Sequence, residues 1–163
     1  MKWGARIDVV DEMRVAGLST VCATATNPQR DAALRRIPRL WDEFFARAHE
    51  LGLGTSGVYY GVSTPADDNV PPLQMNYLAG MAVPASLTLP DGFTDVWVPE
   101  GNYLHFTHEG PAENVDETAH ELYERYLPSS GLTQRLAPHL ELYDERFEHD
   151  SPTCEFDLLV PVR

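Results

Sequence analysis

The stretch His139-Leu140-Glu141-Leu142-Tyr143-Asp144-Glu145-Arg146-Phe147 holds the group best placed for chemistry. Around Glu141 it has the composition of a strand. Side chains alternate faces along a strand, so Leu140 and Leu142 share one face while Glu141 and Tyr143 share the other. Two readings are open on these residues alone. The carboxylate faces water on an ordinary strand, or it stands in an apolar cavity beside an aromatic ring. Carboxylates are rarely fully buried without a partner, which favours the first reading. In a cavity, Glu141 would anchor a cation or act as a base toward water, and desolvation would push its pKa up.

Other residue types offer less. His105 and His108 are an odd number of residues apart on a predicted strand and face opposite sides. His49, His120, His139 and His149 have no ligand spacing. A zinc site needs three or four convergent ligands, so neither a metal nor a cofactor is expected. Cys22 and Cys154 lie far apart without a C-x-x-C spacing and read as free buried thiols. The chain contains no G-x-S-x-G, P-loop or G-x-G-x-x-G motif, so hydrolase-elbow and nucleotide-binding readings have no support.

Composition narrows the partners. Acidic residues outnumber basic ones 25 to 12, for a net charge of −13, which argues against direct nucleic-acid binding. No apolar run reaches the roughly 20 residues of a spanning helix. Met1 to Arg6 has no apolar core of signal-peptide length. A soluble, cytoplasmic protein without a membrane partner is expected. With 163 residues, the chain fits one domain or two small halves sharing a core.

The elements that must position Glu141 follow in order. A strand is predicted from Ile7 to Leu18, running on toward Ala25. Asn27-Pro28 signals a turn or helix start. Ile37, Leu40, Trp41, Phe44, Phe45, Ala48 and Leu51 recur at the helical period. Pro38 fits the first turn of that helix, Gly52 its left-handed stop, and Asp31 to Arg36 a separate turn. Strands are predicted at Val58–Val62 and Met75–Val83, the second with Met75, Tyr77, Ala79 and Met81 on one face, and a loop at Ser63–Pro72 between them. Thr94–Pro99 and Tyr103–Thr107 read as strands. Asn114 and Glu117 have capping-box spacing before a helix that carries Val115, Ala119, Leu122, Tyr123 and Tyr126. Pro128 and Gly131 should end it. The Glu141 strand follows, and Cys154–Val162 closes the chain.

Both halves therefore read strand, helix, strand, strand. Leu40-Trp41-Asp42-Glu43-Phe44-Phe45 parallels Leu122-Tyr123-Glu124-Arg125-Tyr126-Leu127, Tyr60-Gly61 parallels Tyr143-Asp144, and Val83-Pro84 parallels Val160-Pro161. This order predicts a duplicated β-α-β-β unit, repeat one at about 5–85 and repeat two at about 93–163, forming one domain over 1–163. The expected class is α+β, with antiparallel sheets, helices on the outer faces and a central ligand cleft on a pseudo-twofold axis. Glu141 should sit opposite Val58 across that axis, in a groove lined by aromatic side chains.

The ordered set Ile37-Pro38-Arg39-Leu40-Trp41-Asp42-Glu43-Phe44, Tyr59-Tyr60-Gly61-Val62, Tyr77-Leu78-Ala79-Gly80, Val98-Pro99-Glu100-Gly101-Asn102-Tyr103-Leu104-His105-Phe106, Glu109-Gly110, Leu140-Glu141-Leu142-Tyr143 and Val160-Pro161-Val162 resembles the GyrI-like small-molecule-binding domain. That domain is also the effector-binding part of some AraC-type and MerR-type regulators and has stand-alone integron-cassette members. The resemblance implies tandem β-α-β-β repeats, a cleft glutamate at Glu141, and aromatic lining at Trp41, Tyr60, Tyr77 and Tyr143. It implies a lipophilic cationic ligand, as in multidrug-binding members. For some stand-alone members it implies hydrolysis of strained electrophilic natural products by Glu141 and a tyrosine. The family name also suggests an inhibitory protein partner such as a topoisomerase. Two repeats fill the chain, so no helix-turn-helix segment is expected.

Overall fold

The computed structural model describes residues 4–24, 27, 30–54, 57–69, 72–148 and 151–163, with the backbone alone for 30–35. Met1 to Trp3, Pro28 and His149, which figure in the expectations above, lie outside the described residues.

Eight strands form one antiparallel sheet in the order β1-β6-β8-β7-β3-β4-β2-β5. They are β1 Ala5–Val10, β2 Met13–Ala23, β3 Tyr59–Pro65, β4 Gln74–Val83, β5 Thr94–Val98, β6 Gly101–Glu109, β7 His139–Tyr143 and β8 Glu155–Pro161. The single opening strand expected over 7–18 is two. Exposed Asp11-Glu12 interrupts it, after which β1 pairs with β6 while β2 pairs with β4 and β5. The expected pair of sheets is also corrected. β3 and β7 hydrogen-bond to each other at the centre, so the sheet is continuous. β3 runs on to Pro65, and its register sets Glu141 opposite Gly61 rather than Val58.

Directly paired residues of antiparallel strands point to the same face. Ala79 pairs with Gly61, Gly61 with Glu141, and Glu141 with Leu158, so these four share a face. Ala79 belongs to a core cluster with Leu40 and Phe44 of the first helix, and Leu158 to one with Leu122 and Leu127 of the second. Both helices therefore cover the same face of the sheet, on either side of Glu141, and do not occupy separate outer faces. The opposite face carries a third cluster made of strand residues, among them Val15, Val62, Leu78, Val98, Tyr103, Leu140 and Leu159.

The first helix, α1, runs unbroken over Arg30–Arg47. Its apolar stripe buries Leu40 and Phe44, and a 3-10 turn at Ala48–Leu51 adds Leu51 before Gly52 (φ 72°) stops it. Full burial of a side chain the size of Phe44 stabilises the fold by about 1.5–3 kcal/mol. Pro38 lies inside the helix, not at its first turn. It is exposed, so its ring meets solvent while the stripe around it holds the turn in place.

The second helical segment is α-helical over Val115–His120 (α2), widens to π geometry over Glu121–Tyr126, and is α-helical again over Leu127–Ser130 (α3). Pro128 does not end it. The wide turns come just before this residue without an N–H, and the helix stops at Gly131 (φ 76°). The capping box is absent as well. A 3-10 turn at Ala112–Asn114 leads into the helix, and Asn114 makes no side-chain cap hydrogen bond. No helix among the described residues is long and apolar enough to cross a membrane.

Candidate functional site

Glu141 is the polar centre of the helix-covered face. Its Oε1 accepts hydrogen bonds from the hydroxyls of Tyr77 and Tyr143, the latter at 3.0 Å. Trp41 Nε1 donates to the Tyr77 oxygen at 3.0 Å. A directed chain thus runs from the α1 indole through a β4 phenol to a β7 carboxylate. Each member is placed by its element. Trp41 lies on the apolar stripe of α1, Tyr77 on the inward parity of β4, and Glu141 and Tyr143 two residues apart on β7.

Rings close around this chain. Tyr143 lies 5.3 Å from Trp41, 4.9 Å from Phe147 and 4.7 Å from Phe156, centroid to centroid. Trp41 stacks on Phe45 at 5.7 Å, and Phe45 meets Tyr59 edge-on at 4.9 Å. Phe45 is 51% exposed, although its spacing marks it as a core position. It forms the outer lip of the aromatic wall.

The electrostatics are one-sided. Burial, then the charge of Glu141, pushes the Tyr77 and Tyr143 hydroxyls well above the ordinary phenol range. Both remain protonated donors at any physiological pH. Aromatic faces carry negative potential and add to the attraction of a cation toward the carboxylate.

Four of the five residues expected in the site meet there: Glu141, Trp41, Tyr77 and Tyr143. Tyr60 does not. It pairs with Leu142 and packs into the third cluster on the opposite face. The parity of β3 instead brings Tyr59 and Gly61 to the Glu141 side. A Cβ built on Gly61 would lie under 3.0 Å from the Tyr77 hydroxyl and the Glu141 carboxylate. Sequence reasoning missed Gly61, Tyr59, Phe45 and Phe147. Strand parity would have found the first two only with the β3–β7 register in hand.

Tyr123 packs against the second core cluster and reaches the same face from the second helix. Its hydroxyl lies 2.7 Å from His139 Nδ1, two residues before Glu141 on β7. Burial drives the His139 pKa down to about 4, so the ring is neutral near pH 7. Burial, then the Glu141 charge, pushes the Tyr123 phenol up.

One other feature lies apart from this centre. An open depression of about 510 Å3 beside α1 is lined by Leu18, Glu43, Arg47 and Thr94 among others. It has no aromatic lining, and Arg47 is held there by Glu50 at 2.7 Å, so the Glu141 face is the better site. The described residues hold no group of three or more His, Cys, Asp or Glu able to bind a metal ion.

An eight-stranded antiparallel sheet with two helical segments on one face defines an α+β domain. The chain belongs to the GyrI-like small-molecule-binding domain family, matched over residues 5–163. It is similar to the transcriptional regulator BrlR of Pseudomonas aeruginosa, at 31% identity over 128 residues, 77% of this chain and 46% of that protein. The chain thus spans about half the length of that regulator. In fold it is similar to SAV2435 bound to tetraphenylphosphonium, with TM-score 0.70 and 15% identity over 98% of this chain and 94% of that one. It is also similar to an integron cassette protein from the mobile metagenome of Vibrio cholerae, with TM-score 0.67 and 18% identity over 100% of both chains.

Proposed function

We propose that the chain captures lipophilic cations on its helix-covered face, with Glu141 as counter-ion and Trp41, Tyr77 and Tyr143 as its aromatic setting. The observation that carries this is the carboxylate held by two phenol donors inside an aromatic wall. A carboxylate so placed is poorly hydrated and favours a cation that can share the apolar surroundings. The tetraphenylphosphonium bound to SAV2435, a protein of similar fold, supports the same ligand chemistry. Glu141→Gln keeps the shape and removes the charge. Calorimetric titration with tetraphenylphosphonium should show at least tenfold weaker binding to that variant, about 1.4 kcal/mol. Equal affinity would sink the reading.

A second reading has one observation in its favour. Tyr77 and Tyr143 both lie within hydrogen-bond reach of Glu141, the spacing that hydrolysis of a strained electrophile needs. Glu141 would take a proton from water as the oxygen attacks carbon and the strained bond opens, while a tyrosine turns from Glu141 to pass its proton to the departing atom and recovers one from the protonated Glu141. The raised phenols suit donation, not base catalysis. Product beyond one equivalent of protein, lost in Glu141→Gln, separates turnover from capture.

The site's central position fits a duplicated unit with a pseudo-twofold axis. Exchanging β1 to β4 with β5 to β8 reverses the strand order onto itself, which supports two repeats meeting at β3 and β7, each β-β-α-β-β and so one strand longer than the expected β-α-β-β unit. The net charge of −13 supports a role without direct nucleic-acid contact.

A further inference from the structure

The Glu141 face has a second polar pole. Tyr123 and His139 hydrogen-bond at 2.7 Å, with their rings 5.8 Å apart and 33° from parallel. His139 and Glu141 are two residues apart on β7 and point to the same face, so the two poles are separated by about 6.5–7 Å along the strand. Tyr123 belongs to the second helix and Trp41 to the first, so the poles stand toward opposite walls.

Proton placement follows from the pair. Tyr123 keeps its proton and His139 is neutral. The phenol and Nδ1 share one hydrogen bond; with the phenol as its donor, the ring proton stands on Nε2 and is itself a hydrogen-bond donor. Glu141 attracts positive charge, and this second pole offers a neutral donor.

We propose that Tyr123 and His139 determine specificity. Resting on the cation-capture reading, the inference is that the site prefers lipophilic cations bearing a hydrogen-bond acceptor, a carbonyl or ether oxygen, about 7 Å from the charged centre. His139 supplies the donor, and Tyr123 is the positioning residue that fixes its tautomer.

The test compares tetraphenylphosphonium, which has no acceptor, with (4-acetylphenyl)triphenylphosphonium, which carries a ketone on one ring. Affinities are measured by calorimetry on the full chain. The intact protein should bind the ketone at least fivefold more tightly. His139→Leu should reduce that ratio to near one, chiefly through weaker binding of the ketone. Tyr123→Phe should reduce the ratio at least threefold and provides the second variant if His139→Leu does not fold. A ratio near one in the intact protein, or parallel loss of both ligands in the variants, overturns the inference. Glu141→Gln separates the two readings. If it leaves both affinities unchanged while the ratio still responds to His139, cation capture fails and the second pole stands.

Discussion

Gly61 sits directly across the β3–β7 pairing from Glu141, and the space a side chain would need there is filled by the Tyr77 hydroxyl and the Glu141 carboxylate. The hydrogen bond at the heart of the site thus depends on a missing Cβ on the neighbouring strand. Two strands pair there, and a third, β4, sends its tyrosine over the gap.

Gly61→Ala should therefore damage the site more than the fold. A methyl group forces Tyr77 and Glu141 apart, an overpacking cost of about 1–3 kcal/mol. Thermal unfolding should show that loss, and tetraphenylphosphonium titration should show weaker binding than stability alone explains. Binding equal to the parent's would mean that the Tyr77–Glu141 contact does not shape the site.

Much of this arrangement is legible in the sequence, and the limits have physical causes. The stripe from Ile37 to Leu51 and the alternation of Met75, Tyr77, Ala79 and Met81 report local periodicity, so the helix and strand that supply Trp41 and Tyr77 are readable. Glu141 and Tyr143 share a face by parity alone. Register is different, because it depends on a partner some 80 residues away in the chain. Without it Tyr60 and Tyr59 are indistinguishable, and Gly61 has no visible purpose. Phe45 has core spacing and still projects outward, because Phe44 already fills the space beneath the helix. Pro128 has the character of a stop, and the widening of the helix over Glu121–Tyr126 that accommodates it leaves no signal in local periodicity.

Asp157→Asn probes how the opposite face supports the site. Asp157 is fully buried, with Arg146 Nη2 3.0 Å from its Oδ2 and Thr107 donating to its Oδ1 at 2.7 Å. Burial alone would raise its pKa, but the neighbouring His105 together with hydrogen bonds from Arg146 and Thr107 outweighs this and holds the carboxyl well below the usual range. Arg146 is followed by Phe147, whose ring packs against Tyr143 on the site face. Removing one partner of a buried pair should cost about 2–4 kcal/mol here, since Arg146 is partly exposed. Denaturant unfolding measures the loss. A change below about 0.5 kcal/mol would show that the pair does not anchor this turn.

Mild acid should destabilise the fold through His139. Its pKa is lowered to about 4, against 6.5 for the free side chain. Between those values the unfolded chain binds a proton that the folded chain refuses, so stability falls as the pH drops from 6.5 toward 4. The loss attributable to this residue is about 1–3 kcal/mol, the lower part of that range allowing for its partial exposure. Melting curves at pH 7, 5.5 and 4.5 should diverge less for His139→Asn than for the parent. Identical pH dependence in the two proteins would place His139 in water, not against the Tyr123 ring.

Phe45→Ala separates binding from stability. Phe45 stacks on Trp41 and meets Tyr59 edge-on, yet half of its surface is exposed, so truncation opens no internal cavity. Its removal should lower stability by less than about 1 kcal/mol, well short of the roughly 3–5 kcal/mol expected for Phe44→Ala in the core beneath it. A lipophilic cation resting on the Glu141 face would lose one aromatic wall and the associated cation–π attraction of about 0.5–2 kcal/mol. Tetraphenylphosphonium should therefore bind the variant some twofold to thirtyfold more weakly, while its unfolding midpoint stays close to the parent's. Unchanged affinity together with a large drop in stability would reverse the assignment, making Phe45 a core residue and leaving the outer lip of the site to Tyr59 alone.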